Sequence, residues 1–250
     1  MNMTVYPGVD VSWRPSPHWR LHASYNTSLR MPSFTEMYYK LQGYSADPHL
    51  KPEEMQAFEL GTTIHYSQFT IHSALWHHHG KNMIDWIMDT SKGDEAVWQS
   101  VNHTSINSLG LETDIKFTIY GLRYTDYGLQ ATVSYSYIHQ KKEQEPGIVS
   151  QYALEYLRHK LVANAMLPLT KKLSLGLNLR WQDRVGSYTD FDGKIRDYEP
   201  YVLTDARLTW QETKWKMYVE ANNLFDTNYH DYGLVPQPGR WIITGLNIDL

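Results

Sequence analysis

Residues 172–182 read KLSLGLNLRWQ, and this stretch carries the clearest signal of secondary structure in the chain. Its odd positions from Leu173 to Trp181 are apolar, whereas its even positions from Lys172 to Gln182 are polar or glycine. Successive side chains of a β-strand point to opposite faces, so this alternation predicts a strand with one apolar and one polar face. The chain is therefore expected to form a sheet.

The same period of two recurs along the whole chain. The segments that show it lie near residues 3–13, 19–26, 58–66, 69–88, 109–119, 129–137, 152–167, 172–182, 202–210, 214–223 and 242–250. Their connections alternate between short turns, at 14–18, 67–68, 120–128, 168–171 and 211–214, and long loops, at 29–52, 89–96, 142–151, 187–199 and 224–239. Short turns on one side and long loops on the other are typical of bacterial outer-membrane barrels. We predict an all-β, antiparallel up-and-down meander of about eleven strands.

Aromatic residues support a membrane barrel. The chain has 19 Tyr and 9 Trp but only 6 Phe, so most rings carry a polar edge suited to an interface between apolar and wet surroundings. Rings flank the short turns on the apolar parity at Trp13, Trp19, Tyr66, Phe69, Trp210 and Trp215. A soluble, carbohydrate-binding β-sandwich would also alternate, but it has no reason to collect rings at one end of its strands. The barrel is therefore favoured over the sandwich.

Composition excludes several other classes. The net charge is -4 and no Lys/Arg cluster stands out, so no nucleic-acid partner is expected. No run approaches the roughly 18 consecutive apolar residues that a membrane helix needs. The absence of cysteine excludes disulfides and thiolate metal sites. No secretory signal is visible in the first residues, which agrees with an internal piece of a longer protein or with a cytosolic one.

Five motifs, in order, resemble the barrel of TonB-dependent receptors. The family carries R-x-P-(S/T)-F-x-(E/D)-(L/M)-Y, then N-P-x-L-x-P-E and F-E-L-G, and near its end N-N-L-F-D-x-x-Y and P-G-R. This chain has SLRMPSFTEMY at 28–38, DPHLKPE at 47–53, FELG at 58–61, ANNLFDTNY at 221–229 and PGRW at 238–241. The motif residues are Arg30, Pro32, Phe34, Glu36, Tyr38, Pro48, Leu50, Pro52, Glu53, Asn222, Asn223, Leu224, Phe225, Asp226, Pro238, Gly239 and Arg240.

The resemblance implies that residues 1–250 are the C-terminal part of a receptor barrel in the outer membrane, half of a twenty-two-stranded transmembrane barrel. The implied partners are outer-membrane lipid, the plug domain and N-terminal half of the same receptor, the TonB complex acting through the missing plug, and an extracellular small-molecule ligand such as an iron-siderophore or cobalamin. The chain departs from the family by showing only eleven strands and by ending in Leu250 instead of an aromatic residue. We expect an open sheet whose first and last strands do not pair.

Aromatic residues of the long loops are the candidate ligand contacts. They are Tyr38, Tyr39, Tyr44, Trp98, Tyr188, Phe191, Tyr198, Tyr229 and Tyr232. Such side chains offer stacking area and hydroxyl donors to a captured molecule. The alternative is that they pack the loops against one another.

Other clusters are expected to be structural. His77 and His79 share a strand face, but no carboxylate or Cys stands at close ligand spacing, so a metal site is not favoured. Haem is disfavoured because family receptors for haem carry a His in the stretch that corresponds to 38–46, which has none here. No cofactor is expected. Arg30, Pro32, Asn222 and Asn223 are expected to cap loop ends.

Charged residues on the polar parity are expected to line the lumen, where they form ion pairs between strands of the barrel wall or contact a plug. They are Glu112, Asp114, Lys116, Arg180, Asp205 and Arg207. No G-x-S-x-G elbow or H-E-x-x-H pair is present, so the chain is not expected to be an enzyme. The sequence thus favours an importer barrel, with a passive pore or adhesin-like barrel as the alternative.

Overall fold

The computed structural model describes residues 5–119, 128–142, 147–150, 156–231, 233 and 235–249. Its strands are β1 (Gly8–Ser16), β2 (Trp19–Arg30), β3 (Tyr44–Ser45), β4 (Glu53–His65), β5 (Phe69–Asp89), β6 (Trp98–Ile119), β7 (Leu129–Lys142), β8 (Ile148–Ser150), β9 (Tyr156–Pro168), β10 (Leu173–Val185), β11 (Ser187–Thr189), β12 (Ile195–Asp197), β13 (Tyr201–Gln211), β14 (Trp215–Asn222) and β15 (Trp241–Ile248). Two short helices lie in the loops, α1 (Phe34–Tyr38) and a 3₁₀ helix (Thr90–Glu95). Within the described ranges, no helix is long and apolar enough to cross a membrane.

The main sheet is an antiparallel meander in chain order. Its strands follow one another as β1, β2, β4, β5, β6, β7, β9, β10, β13, β14 and β15, which confirms the predicted topology of about eleven strands. The short strands β3 and β8 pair with β6 and β5, and β11 and β12 form a separate hairpin. In the part of the chain that the structure describes, β1 and β15 do not pair with each other. The expected open sheet is therefore observed.

The two faces of the sheet differ as the alternation predicted. Leu177 stands opposite Ala165 and Ala206 and is 38% exposed, whereas its neighbour Asn178 stands opposite Asn164 and Asp205. On the polar face, Asn178 Nδ2 donates to Asn164 Oδ1 at 2.6 Å. A sandwich would bury its apolar face between two sheets, but here that face is open along the whole meander. The sandwich alternative is therefore wrong.

Aromatic rings mark both ends of the apolar face. All six rings predicted beside the short turns are exposed: Trp13, Trp19, Tyr66, Phe69, Trp210 and Trp215. A second row, which the sequence did not reveal, lies towards the long loops at Tyr25, Phe58, Tyr137, His159 and Trp181. From Trp19 to Tyr25 the strand rises roughly 20 Å at about 3.3 Å per residue. Strands of membrane barrels tilt by about 35–45°, so this rise corresponds to roughly 15 Å along the membrane normal, which fits within the apolar band of about 25 Å.

The structure corrects the strand limits in several places. β1 continues through Pro15 to Ser16, so the first connection is only Pro17-His18 instead of residues 14–18. Pro15 lies where the register with β2 shifts between Trp13 and Ser16, and such a bulge tolerates a residue without an N–H. β6 begins at Trp98, eleven residues before the alternation indicated, and β3, β8, β11 and β12 all lie inside segments predicted as loops. These pieces lack a regular apolar period, so the pattern could not reveal them.

Candidate functional site

Arg30 ties the end of β2 to the first long loop. Its Nε and Nη2 donate to Glu53 at 2.5 and 2.7 Å, and its Nη1 and Nη2 donate to Glu36 at 3.1 and 3.0 Å. These hydrogen bonds, to Glu53 above all, raise the pKa of Arg30 above its usual range. A planar guanidinium can bind two carboxylates at once, which an ammonium cannot do with the same geometry. We call Arg30, Glu36 and Glu53 the loop clamp.

The carboxylates of the loop clamp also organise the backbone around them. After Pro32, Ser33 caps α1: its Oγ accepts from the Glu36 N–H at 3.2 Å, and Glu36 Oε2 accepts from the Ser33 N–H at 2.6 Å. Although burial alone would raise the pKa of Glu36, hydrogen bonds from Arg30 and Ser33 lower it below its usual range. Glu53 is buried, and its Oε1 accepts from the Ile84 N–H at 2.8 Å. The clamp therefore anchors β2, β4, β5 and the first loop to one another.

The first long loop packs onto the upper parts of β5 and β6. Tyr39, Tyr44 and Trp86 form the first aromatic cluster, with ring centroids 5.3 to 6.2 Å apart. Trp86 is 4% exposed, so the cluster closes around a buried ring. Beneath it, the buried Ser100 hydroxyl donates to the Glu36 carbonyl at 2.7 Å and accepts from the Asp47 N–H at 2.8 Å. These contacts hold the loop down on the sheet.

The remaining residues of the first two motifs lie in the same long loop. Phe34 is 79% exposed, and its ring lies 5.0 Å from that of Tyr38. Pro48, Leu50 and Pro52 lie between β3 and β4, and among them Leu50 is buried. Burial of Leu50 gives this motif residue a structural role, as the loop clamp does for Arg30, Glu36 and Glu53.

The tail motif builds a second backbone anchor. Asn223 has φ 48°, a conformation that Asn adopts more readily than most residues. Its side chain donates to the Thr227 carbonyl at 2.9 Å and accepts from the Thr227 N–H at 2.8 Å. Asp226 Oδ1 accepts from the Arg240 N–H at 2.7 Å, and a side chain at Gly239 would collide with that carboxylate. The motif thus joins the two ends of the loop between β14 and β15.

Its other members have plainer positions. Asn222 is the last residue of β14 and pairs with Trp241 of β15. The Leu224 N–H donates to the Thr204 carbonyl at 2.7 Å, the Pro238 carbonyl faces Asn223 at 3.4 Å, and Phe225 is 72% exposed. Asn223 thus satisfies backbone groups at a loop end, whereas Asn222 takes part through strand pairing.

A cavity of about 970 Å³ opens between the β11–β12 hairpin and the loop after β14. The second aromatic cluster, which borders it, consists of Tyr188, Tyr198, Tyr201, Tyr229 and His230. Tyr188 stacks on His230 with centroids 5.1 Å apart, and Tyr201 lies 4.6 Å from Tyr229. Tyr198 is buried behind Tyr188, and its hydroxyl accepts from the Gly233 N–H at 2.7 Å. Rings therefore form much of the cavity wall.

Charged residues of the hairpin form the rest of the wall. Asp190 accepts from Arg196 Nε at 2.5 Å and from the Lys194 N–H at 2.9 Å, and these bonds lower the pKa of Asp190. Three further carboxylates line the cavity at Asp192, Asp197 and Glu199. Within the described ranges, none of these three carboxylates accepts a hydrogen bond or forms a salt bridge. The cavity is therefore acidic as well as aromatic.

The structure divides the nine predicted ligand aromatics between two regions. Tyr188, Phe191 and Tyr229 line the cavity, with Tyr198 behind them. Tyr39 and Tyr44 belong to the first aromatic cluster, Trp98 pairs with Tyr44, and Tyr38 contacts Phe34. Tyr232 lies outside the described residues. The sequence reasoning missed Tyr201, His230 and the hairpin acids, although four acidic residues within 190–199 were a visible signal.

The histidine run does not assemble a metal centre. His77 pairs with Phe58 and Leu109, His78 stacks on Trp76 at 4.3 Å, and His79 contacts Asn107 at 2.7 Å. No group of three or more His, Cys, Asp or Glu that could hold a metal occurs among the residues described.

Charges on the polar face have local partners. Arg207 Nη1 lies 3.5 Å from Glu220 Oε2 on the neighbouring strand, and Asp114 accepts from the Ser134 hydroxyl at 2.5 Å. Glu112 accepts from Trp76 Nε1 at 3.3 Å, and Asp205 accepts from the Asn223 N–H at 2.8 Å. Of these four contacts only that of Arg207 with Glu220 is an ion pair between strands, so the predicted pairing is observed only in part.

Comparison with known proteins identifies the family. The family model described as TonB dependent receptor-like, beta-barrel matches residues 2–224. No curated protein matches the chain in sequence. Similar solved structures include the FrpB iron transporter from Neisseria meningitidis (F3-3 variant), with a TM-score of 0.72 at 18% identity, and the copper transporter OprC, with a TM-score of 0.75 at 14% identity. The alignments cover 96% and 97% of this chain but only 38% and 39% of those chains.

A third similar structure is the ferripyoverdine receptor of the outer membrane of Pseudomonas aeruginosa, with a TM-score of 0.73 at 18% identity. It aligns over 96% of this chain and 32% of its own. This chain therefore spans between a third and two fifths of the structures it resembles. At such identities the likeness shows the fold alone, and the family rests on the match over residues 2–224. On that match, the chain belongs to the family of TonB-dependent receptor β-barrels.

Proposed function

We propose that this chain is the C-terminal part of the barrel of an outer-membrane importer for a bulky nutrient, such as an iron-siderophore or a cobalamin. In this proposal residues 1–250 belong to one barrel domain. The plug domain and the N-terminal half of the same receptor complete it, and the TonB complex supplies energy through the plug. The observation that carries the proposal is the aromatic cavity of about 970 Å³ among the long loops. Its volume lies at the upper end of the roughly 300–1,000 Å³ of ligand pockets.

The position of the cavity supports the proposal. TonB-dependent receptors are outer-membrane proteins. Two rows of aromatic rings bound the apolar face, as expected of a face that contacts lipid. The cavity lies beyond the row nearer the long loops. In bacterial barrels the long loops face outside the cell, where an incoming nutrient is met first. Similar structures include an iron transporter, a copper transporter and a ferripyoverdine receptor, which supports a metal-containing nutrient.

Uptake by cells that make the complete receptor tests the proposal. Receptor-null cells carrying the intact gene should accumulate one of three labelled nutrients: ferric siderophore, cobalamin or copper. Tyr188→Ala with Tyr229→Ala should lower that uptake at least tenfold, because the ligand loses stacking surface. Phe225→Ala is the matched control, since this ring is exposed in the same loop but does not line the cavity.

Two results would contradict the proposal. Uptake that persists in cells without TonB would favour the passive pore. Full uptake by the double variant, with normal barrel assembly on heat-modifiability gels, would remove the cavity from the site.

A further inference from the structure

We infer that the cavity between the β11–β12 hairpin and the loop after β14 takes a positively charged small molecule with an apolar or ring-bearing face. This inference rests on the proposed function, because it assigns a ligand class to the same cavity. It restricts the possible ligands of the cavity by their charge. Neither the family nor the similar structures make that restriction.

The first argument is the charge of the lining. Four carboxylates face the cavity, from Asp190, Asp192, Asp197 and Glu199, but Arg196 is the only Lys or Arg among the described lining residues. Arg196 is bound to Asp190 at 2.5 Å, so these two charges largely cancel. Three carboxylates therefore remain to set the electrostatic field of the cavity.

Three further cations stand near the cavity without lining it. Lys194 lies in the turn of the hairpin and Arg180 lies near Tyr201. Arg184 lies 3.8 Å from Asp231 and 5.8 Å from the centroid of the Tyr198 ring. Asp231 also accepts from the Tyr201 hydroxyl at 2.9 Å. Arg184 and Asp231 thus form a further balanced pair behind the lining.

The second argument is the kind of ring in the wall. Electron-rich faces of Tyr and Phe attract cations, and the attraction grows as water is removed. Tyr188 and Tyr229 are half-buried in the wall, and Phe191 is 85% exposed, so it is free to cover a ligand. Carboxylates and ring faces act in the same direction, because both stabilise positive charge.

The consequence is discrimination by charge. A cationic ligand gains from the unpaired carboxylates and from the rings, whereas an anionic chelate of the same size meets like charge at three positions of the wall. The proposal therefore favours cationic or amine-bearing nutrients over chelates that carry several negative charges.

Two fluorescent probes of similar skeleton and opposite charge test this inference. Binding of cationic rhodamine 6G and dianionic fluorescein to the full chain in detergent is measured by fluorescence anisotropy. Rhodamine 6G should bind at least about tenfold more tightly than fluorescein at low salt, and the difference should shrink in 0.5 M NaCl because salt screens exposed charges.

Neutralising the free carboxylates locates the effect. The triple variant Asp192→Asn, Asp197→Asn, Glu199→Gln should lose about tenfold in rhodamine 6G affinity, while fluorescein binding stays the same or improves. The control neutralises three acids outside the lining, Glu54→Gln, Asp94→Asn and Glu95→Gln, and should bind both probes like the wild type. Circular dichroism checks that every variant keeps its β-structure.

Three outcomes would overturn the inference: fluorescein binding as tightly as rhodamine 6G, rhodamine 6G binding unchanged in the triple variant, or no binding of either probe. TonB-dependent uptake is measured separately in cells. A failed inference with intact, cavity-dependent uptake would therefore leave the proposed function standing with an anionic or neutral ligand.

Discussion

The two aromatic clusters use the same residue types for different ends. In the first aromatic cluster, Tyr39 and Tyr44 close around Trp86, which is 4% exposed, and the loop clamp fixes the backbone beside them. In the second, Tyr188, Tyr201 and Tyr229 border a cavity of about 970 Å³. The first cluster packs around a buried ring, although Tyr39 is itself 39% exposed, whereas the rings of the second border open volume.

The difference shows that aromatic content alone does not identify a binding loop. What separates the regions is whether the rings converge on a buried centre or surround free volume, and which charges accompany them. Around the first cluster, Arg30 binds both Glu36 and Glu53. Around the second, Arg196 meets one carboxylate out of the four in the lining. Stability measurements on matched pairs of residues can test whether the two regions differ in this way.

The largest effect is expected from removing the buried ring. Trp86→Ala should lower the free energy of unfolding by roughly 3–5 kcal/mol, because it deletes a large core side chain. Tyr229→Ala, at the half-buried cavity wall, should cost about 1 kcal/mol. Urea unfolding of the lipid-inserted receptor measures both. Equal losses would mean that the two clusters play the same structural part.

The contrast assumes that both regions stand above a membrane band, which a substitution within the band can check. Leu177→Arg, on the apolar face, should cost roughly 2–4 kcal/mol in lipid, while Asn178→Arg on the polar face should cost little. The same unfolding measurement applies. Similar losses at both positions would reverse the assignment of the faces.

Next in size is the loss of the loop clamp. Arg30→Met leaves Glu36 and the buried Glu53 without their cation, and since Arg30 is itself half exposed we expect a loss of about 2 kcal/mol. Arg196→Met removes an exposed guanidinium from Asp190 and should leave the unfolding transition unchanged. If the two variants unfold alike, the clamp is no stronger than the hairpin pair.

The smallest effect is on pH dependence. The pKa of Glu36 is lowered in the folded protein, so its ionised form adds stability above the ordinary glutamate pKa of about 4.3, and this is lost as the pH falls through the lowered value. Wild type should therefore be more stable than Glu36→Gln at pH 6–8 by a constant margin, and the margin should shrink as the pH falls below about 4.3. A margin that stays constant down to about pH 2 would exclude ionisation of Glu36 as its cause.

The meander could be predicted from the sequence because apolar and polar residues alternate regularly along its strands. Alternation such as that of 172–182 repeats in each main strand, and the pleat turns it into two faces. The upper half of β6, from Trp98, stayed hidden because polar residues occupy both parities above the apolar face. The hairpin of β11 and β12 has only three residues per strand, too few to establish a period.

The candidate site was predicted only in part. Aromatic residues in long loops suggested nine contacts, but a ring such as Tyr44 cannot be distinguished from one such as Tyr229 until the fold shows what covers it. The structural part of Asn223 could be anticipated, because Asn often satisfies backbone groups at loop ends. The acidic residues of the hairpin became candidates only because they line a cavity, and a cavity cannot be recognised from the sequence pattern.

The order of the sheet also restricts what can complete it. Along the eleven strands from β1 to β15 every neighbour is antiparallel, so these two outer strands run in the same direction. A partner that closes an all-antiparallel barrel must therefore bring an odd number of strands, with both of its outer strands running the opposite way. A second copy of this sheet, inserted with the same orientation, would meet it with two parallel seams. Because it has an odd number of strands, this sheet can close an all-antiparallel barrel with a complementary sheet, but not with a second copy of itself in the same orientation.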